Sequence, residues 1–160
     1  MEEKNTIKKG EKVPDIVLKD QNDHEIQISR YKGKKVLLSF HPLAWTPVCA
    51  KQMKSLEDNR DRLNEMNTIA FGISVDSVPS KKAWAKELGV EHTQLLADFW
   101  KHGGFAKELG LFLEDRGISK RANVILDENG QVVFVKVYPI SEVPDIKEII
   151  EVLKRMKNTK

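Results

Sequence analysis

The chain reads as an α/β domain in which a central mixed sheet is flanked by helices. Three patterns carry that expectation. Two nearly continuous apolar runs, "KKVLLSF" at 34–40 and "TIAFGISV" at 68–75, have the composition of strands covered on both faces. The segment between them repeats its apolar residues at threes, fours and sevens, the helical period. Two more strands joined by Asn129-Gly130 then lead into an amphipathic C-terminal segment. With 160 residues and no linker long enough to divide them, residues 1–160 are expected to form a single domain.

Taken in order, "VPDIVLKDQNDHEIQIS" alternates apolar and polar residues around Asp20-Gln21-Asn22-Asp23, which predicts a hairpin of two short strands. Gly33 and Pro42 bound the first buried strand. Val48, Cys49, Met53, Leu56, Leu63 and Met66 then predict one helix of about five turns from Pro47. After the strand at 68–75, Pro79 opens a helix that Gly89 stops. "TQLLAD" at 93–98 suits a short strand, and 102–109 another helix. "AKELGV" and "AKELGL" use the same stop twice, a glycine able to turn left-handed followed by an apolar residue folding back. "RANVILD", "DENG" and "QVVFVKV" form the clearest hairpin. A last helix starts near Pro144 with Ile146, Ile149, Ile150 and Leu153 on one face; Lys154, Arg155 and Lys157 suit its negative end. A β-α-β unit followed by β-β-α is the layout of the thioredoxin fold, which alone licenses no function.

Composition narrows the partners. The 27 basic and 24 acidic residues leave a net charge of +3. The basic residues are spread over Lys8-Lys9, Lys32 to Lys35 and Lys154 to Lys160 without aromatic interleaving, so no nucleic-acid partner is expected. "MEEKNTIKKGEK" is charged and lacks the apolar core of a signal peptide. No stretch approaches the roughly 20 apolar residues of a membrane span. A cytoplasmic protein without membrane contact is the expectation. His24, His41, His92 and His102 have no zinc-like spacing with the cysteine and read as surface or loop residues, with His41 close enough to the pocket to tune it. Trp84 and Trp100 read as core or interface aromatics. Neither a phosphate loop nor a heme attachment motif is present, so no cofactor or metal is expected.

One residue type stands apart. Cys49 is the only cysteine, so an internal disulfide is impossible. It follows Thr46-Pro47-Val48, and threonine is a good N-cap while proline favours the first helical position. The sulfur therefore occupies the end of a helix where negative charge is favoured. That field contributes about 0.3–1 kcal/mol, or ~2 when partly buried. A strongly reactive thiolate needs a cation as well. Arg116, Lys120 and Arg121 are candidates, since they precede or begin a strand expected beside the helix start. An isolated cysteine can equally be a small buried hydrophobe, sharing a stripe with Met53 and Leu56.

The full string separates these readings. "PLAWTPVC", Pro42 to Cys49, resembles the Pro-x-x-x-Thr-x-x-Cys signature of the peroxiredoxins of the AhpC/TSA superfamily. "FHPLAWTPVC", "LLADFWKHGGFAKELGLF" and "GISKRANVILDENG" are similar to segments of its one-cysteine, alkyl hydroperoxide reductase E-type branch, in the same order. The resemblance implies a thioredoxin fold of peroxiredoxin type and a thiol-dependent peroxidase acting on hydrogen peroxide and organic hydroperoxides. By it, Cys49 is the nucleophile and becomes a sulfenic acid. Pro42 shields the thiolate, Thr46 hydrogen-bonds the peroxide, and the backbone N–H of Cys49 polarises it. The family arginine aligns with Arg121, which stabilises the thiolate and the charge on the leaving oxygen. With no resolving cysteine, and Lys54 where one branch places it, an external thiol must recycle the enzyme: thioredoxin, a glutaredoxin-like protein or a low-molecular-weight thiol. The resemblance also implies a homodimer built through loops near the site.

Two positions depart from the relatives. Gln52 stands where many carry glutamate, which makes the pocket more positive. Trp45 replaces another aromatic residue and either shapes the rim or packs. A reading of another class also fits, a thioredoxin-like redox sensor or binding module in which Cys49 oxidation signals without efficient turnover.

Overall fold

The computed structural model describes residues 5–157. Met1 to Lys4 and Asn158 to Lys160, parts of the charged N-terminus and of the last basic run, lie outside the described residues. The expected first hairpin forms from β1 (Val17–Lys19) and β2 (Glu25–Gln27). The first buried strand is β3 (Lys35–Phe40), followed by α1 (Pro47–Asp58) and α2 (Arg60–Glu65). Next come β4 (Thr68–Ser74), α3 (Val78–Leu88), β5 (Gln94–Ala97) and α4 (Gly104–Glu108). A small pair, β6 (Phe112–Leu113) and β7 (Ile118–Ser119), precedes the long hairpin of β8 (Arg121–Leu126) and β9 (Val132–Tyr138), and α5 (Ile146–Lys157) closes the order.

Seven strands make one sheet in the order β2-β1-β5-β4-β3-β8-β9. The central β3, β4 and β5 are parallel, and β8 joins β3 antiparallel, as β1 joins β5 and β9 joins β8. Parallel neighbours need a crossover, which α1–α2 and α3 provide. Side chains alternate across the pleat, so each central strand feeds two cores. Leu38, Phe40, Val124 and Leu126 pack with Phe105 and Leu109 on one face. Leu37 and Ile125 pack with Met53, Leu56, Trp84, Ile149 and Leu153 on the other. On this second face α1 lies close to the sheet because Gly72 on β4 has no side chain: a Cβ there would come within 2.2 Å of the Met53 sulfur.

The sequence expectation needs correction at three places. The five-turn helix from Pro47 is broken at Asn59, whose side-chain amide donates at 2.8 Å to the same Ser55 carbonyl that its backbone N–H reaches at 3.2 Å, so the side chain competes for the helical bond. The apolar period survives the break because Leu63 still faces the core. The β6–β7 pair was not foreseen, being only two residues a side. Of the two tryptophans read as core or interface residues, Trp84 is in the core and Trp100, 81% exposed, is outside it. His41 is neither at the surface nor solvated: it is fully buried, its ring 5.4 Å from that of Trp84.

Candidate active site

The carboxyl end of β3 runs into a tight loop, His41 to Thr46, that delivers the chain to α1. Apolar residues drive the loop inward: Pro42 and Ala44 are buried. Asp76, just past β4, holds it there. Its Oδ2 accepts from the Ala44 N–H at 2.8 Å and from the Ser74 hydroxyl at 2.6 Å. Trp45 takes a left-handed backbone with φ of 72°, unusual for a bulky residue, and its indole N–H donates to Ser80 at 3.1 Å. The next residue, Thr46, is extended and opens α1 with Pro47 in the first turn.

Thr46 holds the N-cap position without capping by its side chain. Its hydroxyl donates to the Leu43 carbonyl at 3.0 Å instead of accepting from the helix. The start of α1 therefore keeps N–H groups that this hydroxyl does not cover, beside Cys49. An exposed set of helix N–H groups favours an anion.

Cys49 is fully covered in this conformation. The Arg121 guanidinium reaches it from β8, with Nη1 donating to the sulfur at 3.3 Å. Arg121 is itself 2% exposed. Its Nε and Nη2 both donate to the Ile140 carbonyl, at 3.0 and 2.8 Å, and Nη1 also donates to Gln52 Oε1 at 2.7 Å. Three contacts thus aim a planar, permanently charged fork at one sulfur. Arg116 lies exposed in the β6–β7 turn, and the Lys120 N–H donates to the Leu111 carbonyl, so of the three candidate cations only Arg121 is shown against the thiol.

A second basic cluster backs the loop. Lys81 on α3 is fully buried and its Nζ donates to His41 Nε2 at 3.2 Å. Burial lowers the Lys81 pKa to about 7, although the charges of Asp76 and Cys49 oppose the fall. Burial, and next the Lys81 charge, push His41 well below the ordinary imidazole range. A neutral ring that accepts at Nε2 carries its proton on Nδ1, the one buried side-chain nitrogen or oxygen among the described residues without a partner.

Arg121 is thus brought against Cys49 from the start of β8, Thr46 stands at the N-cap of the same helix start, and Pro42 is buried in the loop that leads to it. Composition and spacing did not reveal Lys81, Ser39 or Asn123. For two of them the signal was polarity inside apolar segments, a serine within "VLLSF" and an asparagine within "RANVIL"; Lys81 lies in a polar stretch and gives no such signal. Buried polar groups of that kind require partners.

Comparison with known proteins agrees with this geometry. Residues 9–135 match the AhpC/TSA family. Alkyl hydroperoxide reductase E of Mycobacterium tuberculosis is 36% identical over 137 residues, 85% of this chain and 89% of that protein. A peroxiredoxin of Thermoplasma volcanium is 31% identical over 153 residues, 92% of this chain and 74% of that one. Among solved structures, the reduced 2-Cys peroxiredoxin of Plasmodium vivax superposes with a TM-score of 0.84 at 27% identity, covering 92% of this chain and 81% of its own. A buried sulfur at a helix start, met by a guanidinium within the family's matched segment, leads to one conclusion: the chain belongs to the AhpC/TSA family and is a peroxiredoxin, a thiol-dependent peroxidase, with a single cysteine.

Proposed function

We propose that Cys49 is the peroxidatic nucleophile, acting on hydrogen peroxide and organic hydroperoxides, with Arg121, Thr46 and Pro42 completing the site. The observation that carries the reading is Arg121 Nη1 at 3.3 Å from the sulfur at the start of α1. The thiolate attacks the nearer peroxide oxygen along the O–O axis. The S–O bond forms as the O–O bond breaks, sulfur loses two electrons, and the distal oxygen leaves as water or alcohol with the proton that the attacked oxygen gives up. Arg121 stabilises both the thiolate and the charge that develops on the leaving oxygen. The Cys49 N–H donates to the peroxide, and the Thr46 oxygen accepts a hydrogen bond from the peroxide O–H while its own hydrogen is donated to the Leu43 carbonyl. Cys49 is covered in this conformation, and Pro42, buried in the loop ahead of the helix, keeps water off the sulfur.

Recycling uses an external thiol. A first thiol condenses with the sulfenic acid, releasing water and forming a mixed disulfide, and a second thiol reduces that disulfide. Thioredoxin, a glutaredoxin-like protein or a low-molecular-weight thiol can each supply them. Two copies pair through the loop edge, where Leu43, Trp45, Phe99 and Trp100 are exposed.

The test is the rate of Cys49 oxidation by hydrogen peroxide, followed by tryptophan fluorescence, and turnover with added thiol. A rate far above that of a free thiol, with peroxide consumed in stoichiometric excess and no activity in Cys49→Ser, is expected. Oxidation no faster than a free thiol would end the assignment; a single fast oxidation without turnover would make the protein a sensor.

A further inference from the structure

A line of side chains leaves the back of Arg121 and crosses the sheet to the surface. Gln52 Nε2 donates to Ser39 Oγ at 2.7 Å, Ser39 Oγ to Asn123 Oδ1 at 2.7 Å, and Asn123 Nδ2 to the Tyr138 hydroxyl at 3.3 Å. The Tyr138 hydroxyl then donates to Glu148 Oε1 at 2.6 Å, in the first turn of α5. Strand register produces the line, since Ser39 pairs with Asn123 across β3–β8 and Arg121 with Tyr138 across β8–β9.

Every bond in the line points the same way. At one end a guanidinium can only donate; at the other an ionised carboxylate can only accept. Between them stand two amides and two hydroxyls, any of which could be turned over if an end released it. Gln52, Ser39 and Asn123 are 2%, 1% and 4% exposed, so a mismatched donor would find little water to turn to. Burial works against the Glu148 charge, but the bonds from Lys136 and Tyr138 outweigh it and hold the carboxyl below its ordinary range. The anionic end is therefore kept ionised.

We propose that Glu148, acting through Tyr138, Asn123 and Ser39, is a positioning residue for the peroxidatic site: it keeps the Gln52 amide turned with Oε1 toward Arg121, and so keeps Nη1 on the Cys49 sulfur. A reversed amide would set Nε2 against Nη1, donor against donor, and move the guanidinium off the thiol. The Phe40 carbonyl also accepts from Gln52 Nε2, at 3.1 Å, so the arm shares this task and its loss has a moderate effect. A glutamate at position 52 would need no such arm, because a carboxylate presents an acceptor whichever way it turns.

The inference rests on Cys49 and Arg121 being the reacting pair, and the experiment separates the two claims. The second-order rate of peroxide with Cys49 is measured for the wild type, Tyr138→Phe, Glu148→Gln, Lys136→Met, Gln52→Glu and the Gln52→Glu/Tyr138→Phe pair. Tyr138→Phe and Glu148→Gln are expected to slow oxidation about 3- to 10-fold, and the pair to be no slower than Gln52→Glu alone. Lys136→Met removes the 2.7 Å ion pair on the other Glu148 oxygen and a contact over the Tyr138 ring but leaves the Tyr138 hydroxyl donating to a carboxylate, so it is expected to slow oxidation less than Tyr138→Phe does. Should Tyr138→Phe fail to fold, the half-exposed Glu148→Gln carries the test. A fast wild type with Glu148→Gln equal to it, or an additive loss in the double variant, would overturn the inference alone. A wild type as slow as a free thiol would overturn the underlying reading.

Discussion

Arg121 illustrates why a charge is best read with its neighbours. Its guanidinium gives three of its four described hydrogen bonds to a carbonyl and an amide, and these decide where the fourth one goes. Lysine lacks the planar fork, so Arg121→Lys is expected to slow peroxide oxidation about 10²–10³-fold, the range seen when one preorganised donor is removed. Stopped-flow oxidation of the variant checks this; a loss under threefold would contradict it. Lys81 presents the opposite balance. Its Nζ meets His41 rather than a carboxylate, so the ammonium is poorly compensated for its burial. Lys81→Met should raise the unfolding free energy by about 1–3 kcal/mol while slowing oxidation, because a positive charge that favours the thiolate is gone. A denaturant titration alongside the kinetics would reveal both changes, and reduced stability would refute the argument. In the sequence, the helix start at Thr46 and Cys49 was legible from spacing, and the roles proposed for them and for Arg121 from the family resemblance. Lys81 and the burial of His41 were not, because nothing in local spacing says which way a loop folds.

Among the elements, the α1–α2 crossover depends on one carboxylate. Glu57, 7% exposed at the end of α1, accepts from the backbone N–H groups of Glu91, His92 and Thr93 and from the Thr93 hydroxyl, tying the helix to the start of β5. Burial disfavours its charge, yet these bonds outweigh burial and bring its pKa from 4.5 to about 2. A folded-state pKa below the unfolded value means stability present above pH 4.5 and lost as pH falls through about 2. The shift corresponds to about 3 kcal/mol. Glu57→Gln should therefore be destabilised by about that much at pH 7, and the gap to wild type should close as pH falls toward 2. Unfolding curves at several pH values would test this, and a gap constant with pH would contradict it. The seven main strands and their helices follow from period and composition, as read at "KKVLLSF" and "TIAFGISV". The break at Asn59 was hidden because Leu63 continues the apolar stripe across it.

For the whole molecule, the parallel order of β3, β4 and β5 brings their carboxyl ends to one edge of the sheet. The loops after β3 and β5 emerge there, carrying Leu43, Trp45, Phe99 and Trp100, which are 40–81% exposed. If two copies pair at this edge, Trp100→Glu should shift the protein from dimer to monomer in sedimentation at micromolar concentration; an unchanged profile would place the contact elsewhere. Alternation of apolar residues, the Thr-Pro helix start, the lone thiol and the Asn-Gly turn are local properties, so the order of elements and the thiol's place at a helix start could be read from adjacent residues alone, while its proposed role needed the family resemblance. The partners of that thiol could not be read that way. Arg121 is 72 residues from Cys49, and Glu148 reaches the guanidinium only through strands that are neighbours in the sheet. Which buried polar groups meet depends on strand register and on how closely α1 lies on Gly72, and both arise from packing between segments distant in the chain.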